Sequence, residues 1–289
     1  MEISDLDIVM FNTKDYFKRP FIRVIYENNL KELNGAKIHI YDRETIAKEI
    51  APHLKQVKWA LDTDFNDSFL GDAARCYLAT KYKNYLYLDA DTFITRRYVE
   101  KMMSSDKDLL LPGAFDNTFS TSILFCRNYG HPILQDICDA YENVTDTEDY
   151  KLYDWVFIKD KIPLDKRQKT IKDAWFIPND CWSDLLHIGY GKFTYFYDNI
   201  FAKNATFAYT TKSIELDNPL VKKYGAIWMI NNNTPYQYMR TSDKGEIIFQ
   251  LPTGNFSIEK MIFYFLLDID YHARLLGVKP KIIDVTNEY

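Results

Sequence analysis

Two small groups of charged residues are spaced for chemistry. Asp89 and Asp91 flank Ala90 at the end of the apolar run Tyr85-Leu86-Tyr87-Leu88. Asp72 and Arg75 stand three apart in Gly71-Asp72-Ala73-Ala74-Arg75. Two carboxylates that close repel each other, and each tends to stay protonated unless a cation sits between them. Their hard oxygens suit Mg²⁺ or Mn²⁺, ions that commonly keep coordination sites open for phosphate oxygens. A carboxylate and a guanidinium three residues apart share one helix face. They form either a simple ion pair or a pair aimed at a polyol.

The elements that must position these groups follow from the pattern around them. Residues 85–94 contain no proline or glycine and read as a strand buried on both faces. Strand alternation would put Asp89 and Asp91 on one side. A strand end of this kind opens into the crevice where α/β sheets bind ligands. Solvated aspartates in a turn are the plain alternative. Upstream, Asp67 to Tyr82 has helical character, capped by Asp67 or Ser68, with Phe69, Ala73, Cys76, Tyr77 and Leu78 on its buried side. That helix feeds directly into the Asp-x-Asp strand.

The remaining chain fits a βαβ rhythm and a mostly parallel sheet. Leu6 to Phe11 reads as a first strand, and Phe21 to Leu33 as a helix stopped by Asn34-Gly35. Lys37 to Tyr41 alternates as a second strand, and Asp42 caps a helix that Pro52 should break. A helix over Arg97–Met103, a strand over Asp108–Leu111, the strand Ile123–Cys126 and a helix over Ile133–Tyr141 follow. Trp155 to Ile158 suits helix or strand, and Lys159 to Lys172 reads mostly as a solvated face. Trp175–Pro178 and Thr206–Thr211 are short strands, a hairpin spans Asp243-Lys244-Gly245, and Ile258–Leu276 is an amphipathic helix. The expected organisation is a main domain over 1–211 with an extension over 212–289 packed on it.

Composition narrows the function classes. A chain of 289 residues can bury a large core. Its net charge of −5 argues against a nucleic-acid surface. The 22 tyrosines and 19 phenylalanines supply rings suited to a sugar or nucleoside, although composition drift accounts for most of them. Cys76, Cys126, Cys138 and Cys181 lie far apart among apolar residues, without metal-ligand or disulfide spacing. With no apolar signal core in Met1–Asp7 and no stretch of membrane-spanning length, these features point to a cytoplasmic protein.

Read together, the Asp72-x-x-Arg75 helix and the strand ending in Asp89-x-Asp91 resemble the glycosyltransferases with a DxD sugar-binding region. That group includes capsule and Golgi α-glycosyltransferases and is related to the clostridial glucosylating toxins. Ser122–Cys126 followed by Gly130-His131-Pro132, and Trp175–Pro178, match later parts of the pattern, so the resemblance covers about residues 5–180. It implies an α/β fold of GT-A type, a UDP- or GDP-linked sugar donor, a Mn²⁺ or Mg²⁺ ion, a carbohydrate or glycoprotein acceptor and a retaining transfer. Position by position, Asp91 would ligate the metal directly, and Asp89 would contact the donor ribose and the metal. Asp72 and Arg75 would hold sugar hydroxyls. Phe11 and Asn12, ending the first strand, would meet the base, and Asp116 and Asn117 would face the acceptor. One departure stands out. The family's late motif, often carrying His and Trp, corresponds here to Ala208–Ser213, which has neither; Thr210, Thr211, Ser213 or Lys212 would have to serve.

Two other classes compete. Haloacid-dehalogenase-like phosphatases also run an apolar strand into Asp-x-Asp, but near the N-terminus and with Thr or Val where Phe93 stands. A non-catalytic sugar- or nucleotide-binding protein on a decayed transferase fold would explain the altered late motif.

Overall fold

The computed structural model describes residues 2–114, 117–144, 154–176, 185–187, 206–212, 214–215, 217–224, 226–231, 238–241, 247–252, 258–279 and 281–288. Within these, the chain is an α/β protein whose central sheet is mostly parallel and flanked by helices.

The first half alternates strand and helix. Strand β1 (Asp7–Phe11) leads through a 3-10 turn, Tyr16–Lys18, into α1 (Pro20–Glu32). Strand β2 (Lys37–Tyr41) is followed by α2 (Arg43–Glu49) and α3 (Lys55–Asp62), with Pro52 in the break between the two helices. Asp42 caps α2 by accepting from Thr45 N–H at 2.8 Å. Next come α4 (Asp67–Leu78), β3 (Tyr85–Leu88), β4 (Thr92–Ile94), α5 (Arg96–Ser104) and β5 (Leu109–Leu111). A small hairpin, β6 (Gly113–Ala114) with β7 (Thr118–Phe119), precedes β8 (Ile123–Cys126) and α6 (Pro132–Tyr141). Helices α7 (Asp154–Lys161) and α8 (Leu164–Asp173) lead to β9 (Trp175–Phe176). Trp155 to Ile158 is therefore helical, and the charged stretch beyond it buries Arg167 and Thr170 on its inner side.

The central sheet runs β2-β1-β3-β8-β5-β9, with β8 antiparallel to both neighbours and the other pairs parallel. Strand β3 lies inside it, and all four of its residues are buried. Its alternation divides the core. Tyr85 and Tyr87 join Val9, Phe11 and Leu124 under α4 and α6, whereas Leu86 and Leu88 join Ile8, Met10 and Phe125 under α5. Each such side chain contributes roughly 1.5–3 kcal/mol on burial, so this strand anchors whatever leaves its carboxyl end.

Two expectations need correction. The apolar block does not run on as one strand: Asp89–Asp91 is a turn, closed by Thr92 N–H donating to the Asp89 carbonyl at 2.9 Å. The chain then leaves the central sheet as β4, which pairs antiparallel with β10 (Leu185–His187). Strand alternation therefore does not set how the two carboxylates are placed; they stand in a turn. Second, the cap of α4 is Asn66, which accepts from Ser68 N–H at 2.9 Å, one residue earlier than expected.

The C-terminal part holds a second sheet. Strands β11 (Thr206–Thr210), β12 (Ala226–Asn231), β13 (Tyr238–Thr241), β14 (Ile247–Pro252) and β15 (Lys281–Asp284) are ordered β13-β14-β12-β11-β15. Among the described pairs of this sheet only β13–β14 is antiparallel; Asp243–Gly245, where a hairpin was expected, lies outside the described residues. Thr206–Thr210 is hydrogen-bonded into this sheet, so it belongs structurally with the strands that follow it. The C-terminal helix Ile258–Leu275 packs against α1.

Candidate active site

The Asp89–Asp91 turn sits at the carboxyl end of β3 and is held from several sides. Asp89 N–H donates to the Ser122 carbonyl at 3.1 Å, tying the turn to the start of β8. Asn29, buried on α1, grips the other flank. Its amide nitrogen donates to the Thr92 carbonyl at 2.6 Å, and its oxygen accepts from Ile94 N–H at 3.1 Å. A side chain thus completes the edge of β4 as a neighbouring strand would.

Beneath the turn lies a network of ionised groups. Helix α4 carries Asp72 and Arg75 into contact, with Arg75 Nη2 at 2.9 Å from Asp72 Oδ1. Arg75 Nη1 lies 3.5 Å from Asp89 Oδ1, and its guanidinium stands 5.3 Å from the centre of the Tyr87 ring. The Tyr87 hydroxyl donates a short hydrogen bond to the same Asp89 oxygen. The helix itself is fixed by the Tyr85 hydroxyl, which donates to the Arg75 carbonyl at 2.9 Å. Arg75 is 2% exposed. Burial alone would disfavour its charge, but Asp72, Asp154 and Asp89 hold its pKa well above the ordinary arginine value. Burial, aided by Asp89, raises the Tyr87 phenol and keeps it a donor.

Asp154 is the residue that sequence reasoning missed. It opens α7 and accepts from Arg75 Nη2 at 2.9 Å. Its local sequence, Asp154-Trp155-Val156-Phe157, reads as an ordinary helix start; the partner is 79 residues away. The Ser120-Thr121-Ser122 run before β8 was the available signal, because small hydroxyl residues at a strand's start are ready donors for a carboxylate.

The other expected residues fall around this centre. Asp91 is buried beside Asp89 in the turn. Phe11 ends β1 but is 6% exposed, with ring centroids 5.8 Å from Tyr41 and 5.6 Å from Tyr87. Asn12 extends the parallel ladder through Tyr41 and accepts from Phe17 N–H at 3.2 Å, organising the turn that carries Tyr16. Burial raises the Tyr16 phenol to about 12; Arg19 opposes this, while Asp91, Asp67 and Asp89 add to it. Tyr16 therefore lies within electrostatic reach of both carboxylates of the turn, and Arg19 stands 5.2 Å from its ring centre. Asn117 lies just before β7, in the connection from β6, with a left-handed backbone (φ 52°), and its carbonyl accepts from Arg167 at 2.8 Å. Asp116, Cys181 and Ser213 lie outside the described residues.

The late motif stands at the end of β11. Lys212 N–H donates to Thr210 Oγ1 at 3.1 Å, and Thr211 N–H to Thr286 Oγ1 at 3.0 Å, both in the second sheet. Among the described residues, no group of three or more His, Cys, Asp or Glu side chains could hold a metal ion. Asp89 and Asp91 nevertheless carry hard carboxylate oxygens, and with Asp72 and Asp154 nearby the negative charge exceeds that of Arg75. Such a donor set fits an ion whose remaining ligands come from phosphate and water. The buried thiols Cys76, Cys126 and Cys138 are raised above their ordinary pKa by burial and are inert fillers.

No protein-family model matches the chain, and no curated protein matches it by sequence. Solved structures that resemble it in shape include two glycosyltransferases. One is a crystal structure of a glycosyltransferase involved in the glycosylation of the major capsid of PBCV-1; it is 9% identical, with TM-score 0.34, over 64% of this chain and 93% of its own. The other is the apo-form glycosyltransferase GlyE of Streptococcus pneumoniae TIGR4; it is 12% identical, with TM-score 0.34, over 97% of this chain and 91% of its own. At such values the functional reading rests on the residues of this chain.

Proposed function

We propose that the protein is a metal-dependent glycosyltransferase of GT-A type. It would move a sugar with retention from a UDP- or GDP-linked donor to a carbohydrate or glycoprotein glycan. The single observation behind this reading is the convergence of Asp72 and Arg75 on Asp89 at the carboxyl end of β3, where open α/β sheets take their ligands, with Asp91 buried two residues further on.

In this reading Asp91 and Asp89 hold a Mn²⁺ or Mg²⁺ ion, which would offset the charge of the diphosphate leaving group. Asp72 and Asp89 present carboxylate oxygens to sugar hydroxyls, aligned by Arg75, whose burial argues against the direct sugar contact expected of it. Phe11 and Asn12 support the nucleoside end, with Asn12 shaping the Tyr16 turn. Asn117 borders the acceptor side. Retention needs no covalent protein nucleophile, and none is named. Asp89 is anchored by Tyr87 and Arg75, which suits a fixed anion better than the attacking carboxylate of a phosphatase. No helix among the described residues is long and apolar enough to cross a membrane.

A second reading, binding without catalysis, draws on the want of a third protein ligand among the described residues. One experiment separates the two. The purified protein is screened against UDP- and GDP-sugars with and without Mn²⁺, scoring thermal shift and free nucleotide. A donor that stabilises the fold and is slowly hydrolysed supports the enzyme. Stabilisation without release supports the binding protein, and silence across the panel overturns both.

A further inference from the structure

Asp154 is 9% exposed and crowded with donors. Its Oδ2 accepts from Arg75 Nη2 at 2.9 Å, Thr121 N–H at 2.5 Å, Thr121 Oγ1 at 2.9 Å and Ser120 Oγ at 2.8 Å. Its Oδ1 accepts from Trp155 N–H at 2.7 Å and from Ser120 Oγ at 2.9 Å. An ionised carboxylate offers about four lone-pair sites. Protein donors fill them, leaving little capacity for a sugar hydroxyl.

Two routes run from this carboxylate to Asp89. One passes through Arg75, whose Nη1 is 3.5 Å from Asp89. The other passes through Ser120 Oγ, which accepts from Ser122 N–H at 3.1 Å; the Ser122 carbonyl then takes Asp89 N–H at 3.1 Å. Asp72 is reached through the same Arg75 Nη2. Arg75 itself is too buried to be presented to solvent, and its Nε is without a partner among the described residues. The more exposed ends of the network are Asp89 and Asp72, with side chains 26% and 13% accessible.

We propose that Asp154 is a positioning residue of the donor site, which fixes Arg75 and the Ser120–Ser122 segment so that Asp72 and Asp89 meet the donor sugar. It does not touch the sugar itself. This rests on the glycosyltransferase reading and deepens it: sugar recognition is set by a carboxylate one layer behind the contact groups.

The test measures affinity for the active nucleotide sugar, its 2-, 3-, 4- and 6-deoxy or epimeric analogues, and the bare nucleotide, in wild type, Asp154→Asn and Asp154→Glu. Losing the charged acceptor should weaken every nucleotide sugar by about tenfold or more, to a similar extent for each analogue. Bare nucleotide should change by less than about twofold, and Asp154→Glu should recover part of the loss. If Asp154→Asn does not fold, Ser120→Ala with Thr121→Val removes two of the side-chain donors and should weaken all the analogues by a smaller common factor. A loss confined to one hydroxyl position would show direct contact and overturn the proposal. So would equal losses for nucleotide and nucleotide sugar, or no loss at all. Failure of the wild-type protein to bind any nucleotide sugar would instead remove the glycosyltransferase reading, a result distinct from these.

Discussion

The molecule contains two sheets built largely of parallel strands, and they use their charged residues differently. In the central sheet, buried carboxylates gather around one guanidinium at the carboxyl end of β3. In the C-terminal region, the described buried charge-bearing side chains are Asp268 and His272, on a helix face rather than at strand ends. Asp268 accepts from Phe21 N–H at 3.4 Å, capping the start of α1, and His272 lies 3.9 Å from it. A parallel sheet alone therefore does not make a site. What differs is the exit from the strand: β3 leaves through a short acidic turn into another sheet, whereas the ends of β11 form hydrogen bonds within their own layer. In the proposed reading the first region serves the chemistry and the second supports it.

That contrast can be broken at graded positions. Arg75→Met should be the most severe change, because it strands several carboxylates in a buried setting; a loss of roughly 3–5 kcal/mol in urea unfolding is expected. Retention of full stability would show the network to be dispensable. Asp91→Asn should lower nucleotide release by about a hundredfold or more while leaving the urea midpoint nearly unchanged. Full turnover in this variant, or in EDTA, would end the metal role.

His272 offers a pH test of the supporting region. Burial, with help from Arg19, lowers its folded pKa to about 4 from the ordinary 6.5, outweighing the Asp268 carboxylate 3.9 Å away. The unfolded chain thus takes the proton first. Stability from this group is complete above about pH 6.5 and falls as pH drops toward 4, by up to about 3 kcal/mol. Replacing His272 with Gln should flatten the melting-temperature profile over that range, and an unchanged slope would refute the assignment. The smallest effect is expected at Tyr209, whose hydroxyl donates to the exposed Asp284 at 3.2 Å. Tyr209→Phe should move stability by no more than about 0.5 kcal/mol and leave nucleotide release alone. A large activity loss there would erase the distinction between the two regions.

Much of the first region was legible in the sequence for local reasons. Strand β3 announces itself because both its faces are apolar, Pro52 breaks its helix, and the spacing of Asp72 and Arg75 puts them on one face. The turn at Asp89–Asp91 was not legible as a turn, because Tyr, Leu, Phe and Ile on either side suit a continuous strand. What decides it is β4 pairing with β10, more than 90 residues later. Asp154 and Asn29 were hidden for the same reason: their partners are distant, and each looks like an unremarkable helix residue beside its neighbours. Sequence periodicity reports which way a residue faces, not what waits there.

The grip of Asn29 on β4 has a kinetic consequence. Its two bonds span 63 and 65 residues, so they form only after a large loop has closed. The acidic turn should therefore be among the last parts of the first region to become rigid and among the first to open. Asn29→Ala, which removes its bonds to the Thr92 carbonyl and Ile94 amide at a cost of about 1–3 kcal/mol, should speed unfolding far more than it slows refolding. Amide exchange at Ile94 should then rise before that at Tyr85 to Leu88. The strand that anchors the turn would persist through openings that release its charges, a separation of lifetimes within ten consecutive residues.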